Sequence, residues 1–284
     1  MAMTIDVPAT ELLDEVWIRQ GTNRRVPLAT YRLQFNRNFT FQDARNLVGY
    51  FHALGISDCY ASPYFKARAE STHGYDITDH NALNPSIGSD EDYHAWIEEL
   101  HAHGMGQVLD IVPNHMGIGE ENNTWWLDVL ENGPSSPYAR FFDIDWTPIK
   151  HELENKVLLP ILGDQYGRVL ENQELKLGYD EDGSFSIHYY ETCLPVAPRT
   201  SALILQPLLD QLTEVLPADD EHVLELQSII TALSHLPPRT ETDPALIAER
   251  HREKEIIKRR FAALYNQSQE VRGVLASIVE SFNG

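Results

Sequence analysis

A parallel α/β fold, built as the opening part of a (β/α)8 barrel, is the architecture this sequence predicts, on three observations. Short apolar runs alternate with amphipathic helical stretches from Leu28 to Pro113. No glycine-rich phosphate turn follows the first run, where Gln34–Phe35–Asn36–Arg37–Asn38 stands instead. Polar and aromatic residues gather just past the second and third runs, at the strand ends where barrels place their sites.

Each element has its own signal. Leu12, Leu13, Val16 and Trp17 mark one face of a first helix. Leu28 to Leu33 is the first strand. Thr40 is a helix N-cap, with Asp43 placed to complete a capping box. The helix it opens carries Ala44, Leu47, Phe51 and Leu54 at helical spacing, and Gly55 ends it. Ile56 to Ala61 is the second strand, followed by a long irregular stretch from Ser62 to Gly88. Ser89 caps the next helix, whose first turn of Asp90, Glu91 and Asp92 suits the helix dipole. Trp96, Ile97 and Leu100 form its inner face, and Gly104 stops it. Gln107 to Val112 is the third strand, closed by Pro113.

Beyond Pro113 the alternation lapses. Residues 116–200 are rich in Gly, Pro, Trp, Tyr and Asn, with short strands expected at Lys156–Leu162 and Ser184–Tyr190. This reads as a subdomain inserted after strand 3. From Ser201 the pattern is helical, with stripes at Leu205, Leu208, Leu209, Leu212 and at Val223, Leu226, Ile230, Leu233. Asp243–Pro244 is an N-cap with a first-turn proline, and the charge run from Glu249 to Arg260 is expected to be a solvated face. The expected division is 1–115 for three βα units, 116–200 for the inserted subdomain and 201–284 for a helical insertion. Three barrel strands are found where eight are needed, so the chain is expected to end before strand 4.

The 284 residues include 42% apolar residues, enough for a sizeable core. Lys and Arg total 22 against 43 Asp and Glu, a net charge of −21 that repels nucleic acid and anionic membranes and suits a neutral ligand. Cys59 lies in an apolar run and reads as a buried thiol. Neither it nor Cys193 has metal or redox spacing, and no metal or cofactor is expected. Met1 to Pro8 lacks a basic region followed by an apolar run, and no apolar stretch is long enough to span a bilayer. A cytoplasmic location is therefore expected; the full-length protein is expected to be a monomer.

Two constellations could carry chemistry. The first is Ser71–Thr72–His73–Gly74–Tyr75–Asp76, in the loop past the second strand. Gly74 permits a tight turn beside Tyr75. A tyrosine ring at a cleft offers a stacking surface for the C–H face of a sugar, with its hydroxyl free to hydrogen-bond. The plainer reading is a tyrosine that packs the loop down. The second is Asp110–Ile111–Val112–Pro113–Asn114–His115. A carboxylate within an apolar strand is costly unless paired, while Asn114 and His115 emerge at the strand end. His115 could donate to a substrate hydroxyl, or serve only structure.

The pattern Asp110-x-x-x-Asn114-His115 and the pair Gly74–Tyr75 together resemble the α-amylase family of glycoside hydrolases and transglycosylases, which also inserts a subdomain after strand 3. Further stretches are similar to the maltooligosyl trehalose synthases. They are Leu28 to Phe35, Ala61–Ser62–Pro63–Tyr64, Ser71 to Asp76, Trp125 to Pro134 and Phe141 to Trp146. The resemblance implies an intramolecular transglucosylase of trehalose biosynthesis. It would convert the reducing-end α-1,4 linkage of a maltooligosaccharide to an α,α-1,1 linkage by a retaining, two-carboxylate mechanism. It implies Tyr75, His115 and His73 as substrate-binding residues. Asp76, Asp110 and Asn114 would be supports, pairing with an arginine of strand 4. Segments matching the family's nucleophile and acid are not found, so no catalytic residue is assigned and the chain alone is expected to be inactive. Two alternatives remain: another hydrolase or glucan transferase of this family, or a non-catalytic sugar-binding protein that keeps part of a barrel.

Overall fold

The structure is a computed structural model that describes residues 10, 13–14, 16–18, 25–118 and 123–284. Leu12 of the expected first helix lies outside these residues; Leu13, Val16 and Trp17 are helical and exposed. The chain divides into two compact units, Met1–Met116 and Gly117–Gly284.

The first unit runs β1 (Thr30–Leu33), α1 (Phe41–Ala53), β2 (Asp58–Ala61), β3 (Phe65–Ala67), β4 (Ile77–Leu83), α2 (Asp90–Ala102) and β5 (Gly106–Leu109). β1, β2 and β5 form a parallel sheet in that order, with Arg32, Tyr60 and Val108 paired in one row. Strand pleating sends alternate side chains to opposite faces. Leu33, Cys59 and Ala61 are buried in one core with Phe41, Ala44, Val48 and Phe51 of α1 and with Trp96 and Leu100 of α2. Each large side chain so buried contributes about 1.5–3 kcal/mol. Burial also pushes the Cys59 thiol up to about 11, with the neighbouring Asp58 adding to the effect.

Arg32, Tyr60 and Val108 point to the other face, where Arg32 and Val108 are exposed. Parallel sheets are ordinarily covered on both faces, and this one is covered by helices on one. At the strands' N-terminal ends the charge is structural. Asp58 is buried, pairs with Arg25 at 3.0 Å and accepts from Ser57 Oγ at 2.6 Å.

The caps are as expected. Thr40 and Asp43 form a complete capping box on α1, as do Ser89 and Asp92 on α2. Gly55 and Gly104 follow their helices at φ +85° and +67°. Three details differ. The buried stripe of α1 is Phe41, Ala44, Val48 and Phe51, while Leu47 and Leu54 are exposed. A 3.6-residue period fits either set from Ala44, and the sheet lies on the Val48 side. The stretch from Ser62 to Gly88 contains the antiparallel pair β3–β4, which the polar composition of Ile77–Leu83 concealed. The third strand stops at Leu109, so Asp110 lies just past it rather than inside. Its N–H still bonds to the Ala61 carbonyl at 2.9 Å, and Pro63 has no N–H with which to continue the ladder.

The second unit contains α3 (Thr124–Asn132), α4 (Tyr166–Glu171), an antiparallel sheet of β6 (Leu175–Tyr179), β7 (Phe185–Tyr189) and β8 (Thr192–Pro195), then α5 (Ala202–Val215), α6 (Glu221–His235), α7 (Pro244–Gln267) and α8 (Gln269–Asn283). Leu177 and Phe185 of the sheet share one core with Leu205, Leu212, Val223, Leu226, Phe261 and Leu275 of the helices. Residues on both sides of position 200 therefore pack together. Asp243 caps α7 through bonds from the Ala245 and Leu246 amides.

Two expectations fail here. Lys156–Leu162 is not a strand: Pro160 lacks a donor and Leu158 is 82% exposed. The charge run of α7 is not simply a solvated face. Arg250 and Lys254 are buried, and Lys254 Nζ and Lys258 Nζ reach the two carboxylate oxygens of buried Glu131 on α3 at 2.5 and 2.6 Å. Arg250, Lys254 and Lys258 recur every four residues and form one helix face. Glu131 and, at 3.8 Å from Lys254, Asp128 answer it. Pairing makes the burial tolerable.

Candidate functional site

At the C-terminal ends of the three parallel strands, side chains on the open face converge. Arg32 comes from β1, Tyr60 from β2, and Asp110 from the residue after β5. Arg32 Nη1 donates to Asp110 Oδ2 at 3.0 Å, and its Nη2 donates to the Tyr75 hydroxyl at 2.7 Å. The Tyr75 hydroxyl donates in turn to Asp110 Oδ2 at 2.5 Å. The Tyr60 hydroxyl reaches the same oxygen at 3.4 Å, and its ring lies 4.3 Å beneath the Arg32 guanidinium.

The loop that presents Tyr75 is held by local chemistry. Gly74 has φ +77°, and a Cβ there would stand 2.5 Å from the Pro63 carbonyl oxygen, so only glycine fits. Ser71 Oγ accepts from the Gly74 amide at 3.0 Å and donates to Asp76 Oδ1. The side-chain amides of Gln34 and Asn36 donate to the carbonyls of His73 and Thr72, each at 3.1 Å. His73 Nδ1 accepts from the Tyr75 amide at 3.0 Å, and the His73 and Tyr75 rings stack at 6.0 Å. His115 Nε2 lies 3.0 Å from the Tyr75 carbonyl oxygen. That contact makes Nε2 the donor and leaves Nδ1 as an acceptor.

Of the six residues singled out in the sequence, five meet in this cluster: His73, Tyr75, Asp76, Asp110 and His115. Asn114 is exposed at the bend after Pro113 and makes none of these bonds. The Tyr75 hydroxyl is not free, since both its roles are used within the protein; its ring remains as a stacking surface. The sequence reading missed Arg32, Tyr60 and Gln34. Strand alternation held the signal: with Leu33 inward, Arg32 and Gln34 must lie on the opposite face.

The electrostatics follow from these bonds. The Tyr75 hydrogen bond holds the Asp110 carboxyl below its usual range; burial opposes it, and the Arg32 contact adds to the lowering. The same bond to Asp110 raises the Tyr75 phenol, which Arg32 partly offsets. Asp110 is thus an ionised carboxylate whose Oδ2 takes the bonds from Arg32, Tyr75 and Tyr60, suited to orienting neighbours rather than to proton transfer. A separate apolar cavity of about 200 Å³ in the second unit, lined by Trp126, Leu127, Leu130, Leu158, Ile161 and Leu194 among others, presents no carboxylate or imidazole among its described lining residues.

Residues 45–172 match the family described as alpha amylase, catalytic domain. Over 181 residues the chain is 40% identical to a putative maltooligosyl trehalose synthase of Mycobacterium tuberculosis, a match covering 60% of this chain and 21% of that protein. The solved maltooligosyltrehalose synthase of Arthrobacter ramosus is 40% identical with a TM-score of 0.52, over 60% of this chain and 21% of its own. Over these stretches the chain is similar to maltooligosyl trehalose synthases. A hypothetical maltooligosyl trehalose synthase of Sulfolobus tokodaii is also similar, at 36% identity and a TM-score of 0.52, over 66% of this chain and 24% of that one. The chain therefore spans about a fifth of the length of the curated synthases it matches. With the alpha-amylase match, the parallel strands and helices of the first unit are a partial barrel of the glycosidase type. Among the described residues no helix is long and apolar enough to cross a membrane.

Proposed function

We propose that this chain forms the substrate-binding front portion of an intramolecular transglucosylase acting on maltooligosaccharides. The reaction turns the reducing-end α-1,4 linkage into an α,α-1,1 linkage and leaves a terminal trehalose unit. The observation that carries this reading is the Tyr75 ring, fixed by Arg32 and Asp110 at the C-terminal end of a parallel sheet, in a chain related to maltooligosyl trehalose synthases. On this reading residues 1–115 are the first three βα units of the barrel. Residues 116–200 are a subdomain inserted after strand 3, and residues 201–284 are a helical insertion ahead of strand 4.

Tyr75 stacks on the glucose at the reactive position, and His115 offers Nδ1 to a hydroxyl of the same ring. His73 backs the Tyr75 ring, while Asp76, Asp110 and Asn114 support the site. The nucleophile and the acid of the retaining mechanism come from barrel strands beyond these three. The contribution of this chain is to bind and orient the sugar and to help exclude water, so that the freed glucose attacks in place of water.

Product analysis tests the reading. The chain joined to the remaining C-terminal length of a related synthase is incubated with maltopentaose. A product of unchanged mass that has lost its reducing end is expected. Glucose and shortened maltooligosaccharides as the main products would instead indicate a hydrolase.

A further inference from the structure

We propose that Arg32 is a positioning residue of this site, locking Tyr75 and Asp110 into one arrangement so that the Tyr75 ring meets the sugar at a fixed tilt. The inference rests on the glucan-binding reading above. Three elements distant in sequence meet at this one guanidinium, whose Nη1 goes to Asp110 and Nη2 to Tyr75 while its plane lies over Tyr60. A rigid fork can serve two partners and a ring at once; a lysine ammonium cannot reproduce that geometry. The only ion pair of Asp110 among the described residues is with Arg32.

The loop itself does not depend on Arg32. Its bonds to Gln34, Asn36 and Ser71 fix the backbone from Thr72 to Gly74, and those from the Tyr75 amide to His73 and from His115 to the Tyr75 carbonyl fix it beyond. Removing the guanidinium therefore leaves the loop folded and frees the ring. The charged and titratable groups around the Tyr75 hydroxyl and backbone are Arg32, Asp110, Tyr60, His73 and His115. Of these, Asp110 raises the phenol and Arg32 lowers it.

The test uses the 284-residue chain carrying Arg32→Gln or Arg32→Lys. Phenol titration is followed by NMR with ring-labelled tyrosine, the Tyr75 signal being the one lost in Tyr75→Phe. Maltopentaose affinity and thermal unfolding are measured beside it. In Arg32→Gln the Tyr75 phenol should titrate at higher pH, affinity should fall about tenfold, and the unfolding transition should stay in place. Arg32→Lys should restore part of the titration shift and little of the affinity; should Arg32→Gln not fold, this variant decides alone. An unchanged Tyr75 titration, or a changed titration with unchanged affinity, overturns the proposal. A wild-type chain that shows the Arg32-dependent titration but binds no maltopentaose overturns the glucan reading while leaving the Arg32–Tyr75 contact standing, which separates the two failures.

Discussion

At the scale of single residues, the site depends on backbone as much as on side chains. Gly74 is the clearest case: a Cβ would need to occupy space 2.5 Å from the Pro63 carbonyl oxygen, at a φ that L-residues rarely adopt. Gly74→Ala should strain the loop by about 1–3 kcal/mol and displace the Tyr75 ring. Maltopentaose binding should weaken much more than overall stability, which calorimetric titration and a melting curve would separate. Equal binding by wild type and Gly74→Ala would show that the loop has slack the geometry denies. The sequence made Gly74, Tyr75 and Asp110 legible because glycine beside an aromatic, and an acid at an apolar strand, are locally unusual. It could not show that the Tyr75 hydroxyl is spent on Asp110, because that bond joins residues 35 positions apart.

At the scale of elements, the caps were read correctly, the apolar stripes only in part, and pairing was read poorly. The Thr40 and Ser89 boxes are local patterns, complete within four residues. β3 and β4 have no strong alternation and exist because they pair with each other. The charged face of α7 is the most instructive miss, since charge in a sequence says nothing of the acid that answers it. Glu131 is 8% exposed at its side chain between Lys254 and Lys258. Burial raises its carboxyl, but the ammonium groups of Lys258 and Lys254 outweigh this and hold it below the usual value. Lys258, opposed by burial, is held above its usual value by Glu131.

The pH window follows from these directions. The depressed carboxylate stabilises the fold above its unfolded value of 4.5, and that contribution is lost as pH falls through its lower folded value. The raised ammonium contributes fully below 10.5, and its contribution is lost as pH rises through its higher folded value. Glu131→Gln should cost about 3–5 kcal/mol at neutral pH by removing the carboxylate that pairs Lys258 and lies nearest Lys254, and should flatten the acid limb. Urea denaturation at pH 3, 7 and 9 checks both; a loss below about 1 kcal/mol would mean that the pair is effectively solvated.

At the scale of the whole molecule, the chain carries a net charge of −21, and the central cation of the site, Arg32, is already paired. The central cation of this site is thus neutralised by Asp110, and its recognition surface is an aromatic ring. Binding of a neutral glucan should therefore depend little on salt. The alternation of parallel strands and helices was legible because three short apolar runs are separated by two amphipathic helices. The common core shared by Phe185 and the helical stripes was not, because residues that far apart are joined only by packing. Isothermal titration of the 284-residue chain with maltopentaose, comparing wild type, Tyr75→Phe and Tyr75→Ala, tests the central claim most directly. Wild type should bind, Tyr75→Phe should bind more weakly, and Tyr75→Ala should lose about 1–3 kcal/mol with its melting temperature unchanged. Equal affinity for wild type and a folded Tyr75→Ala would contradict a sugar site built on this ring.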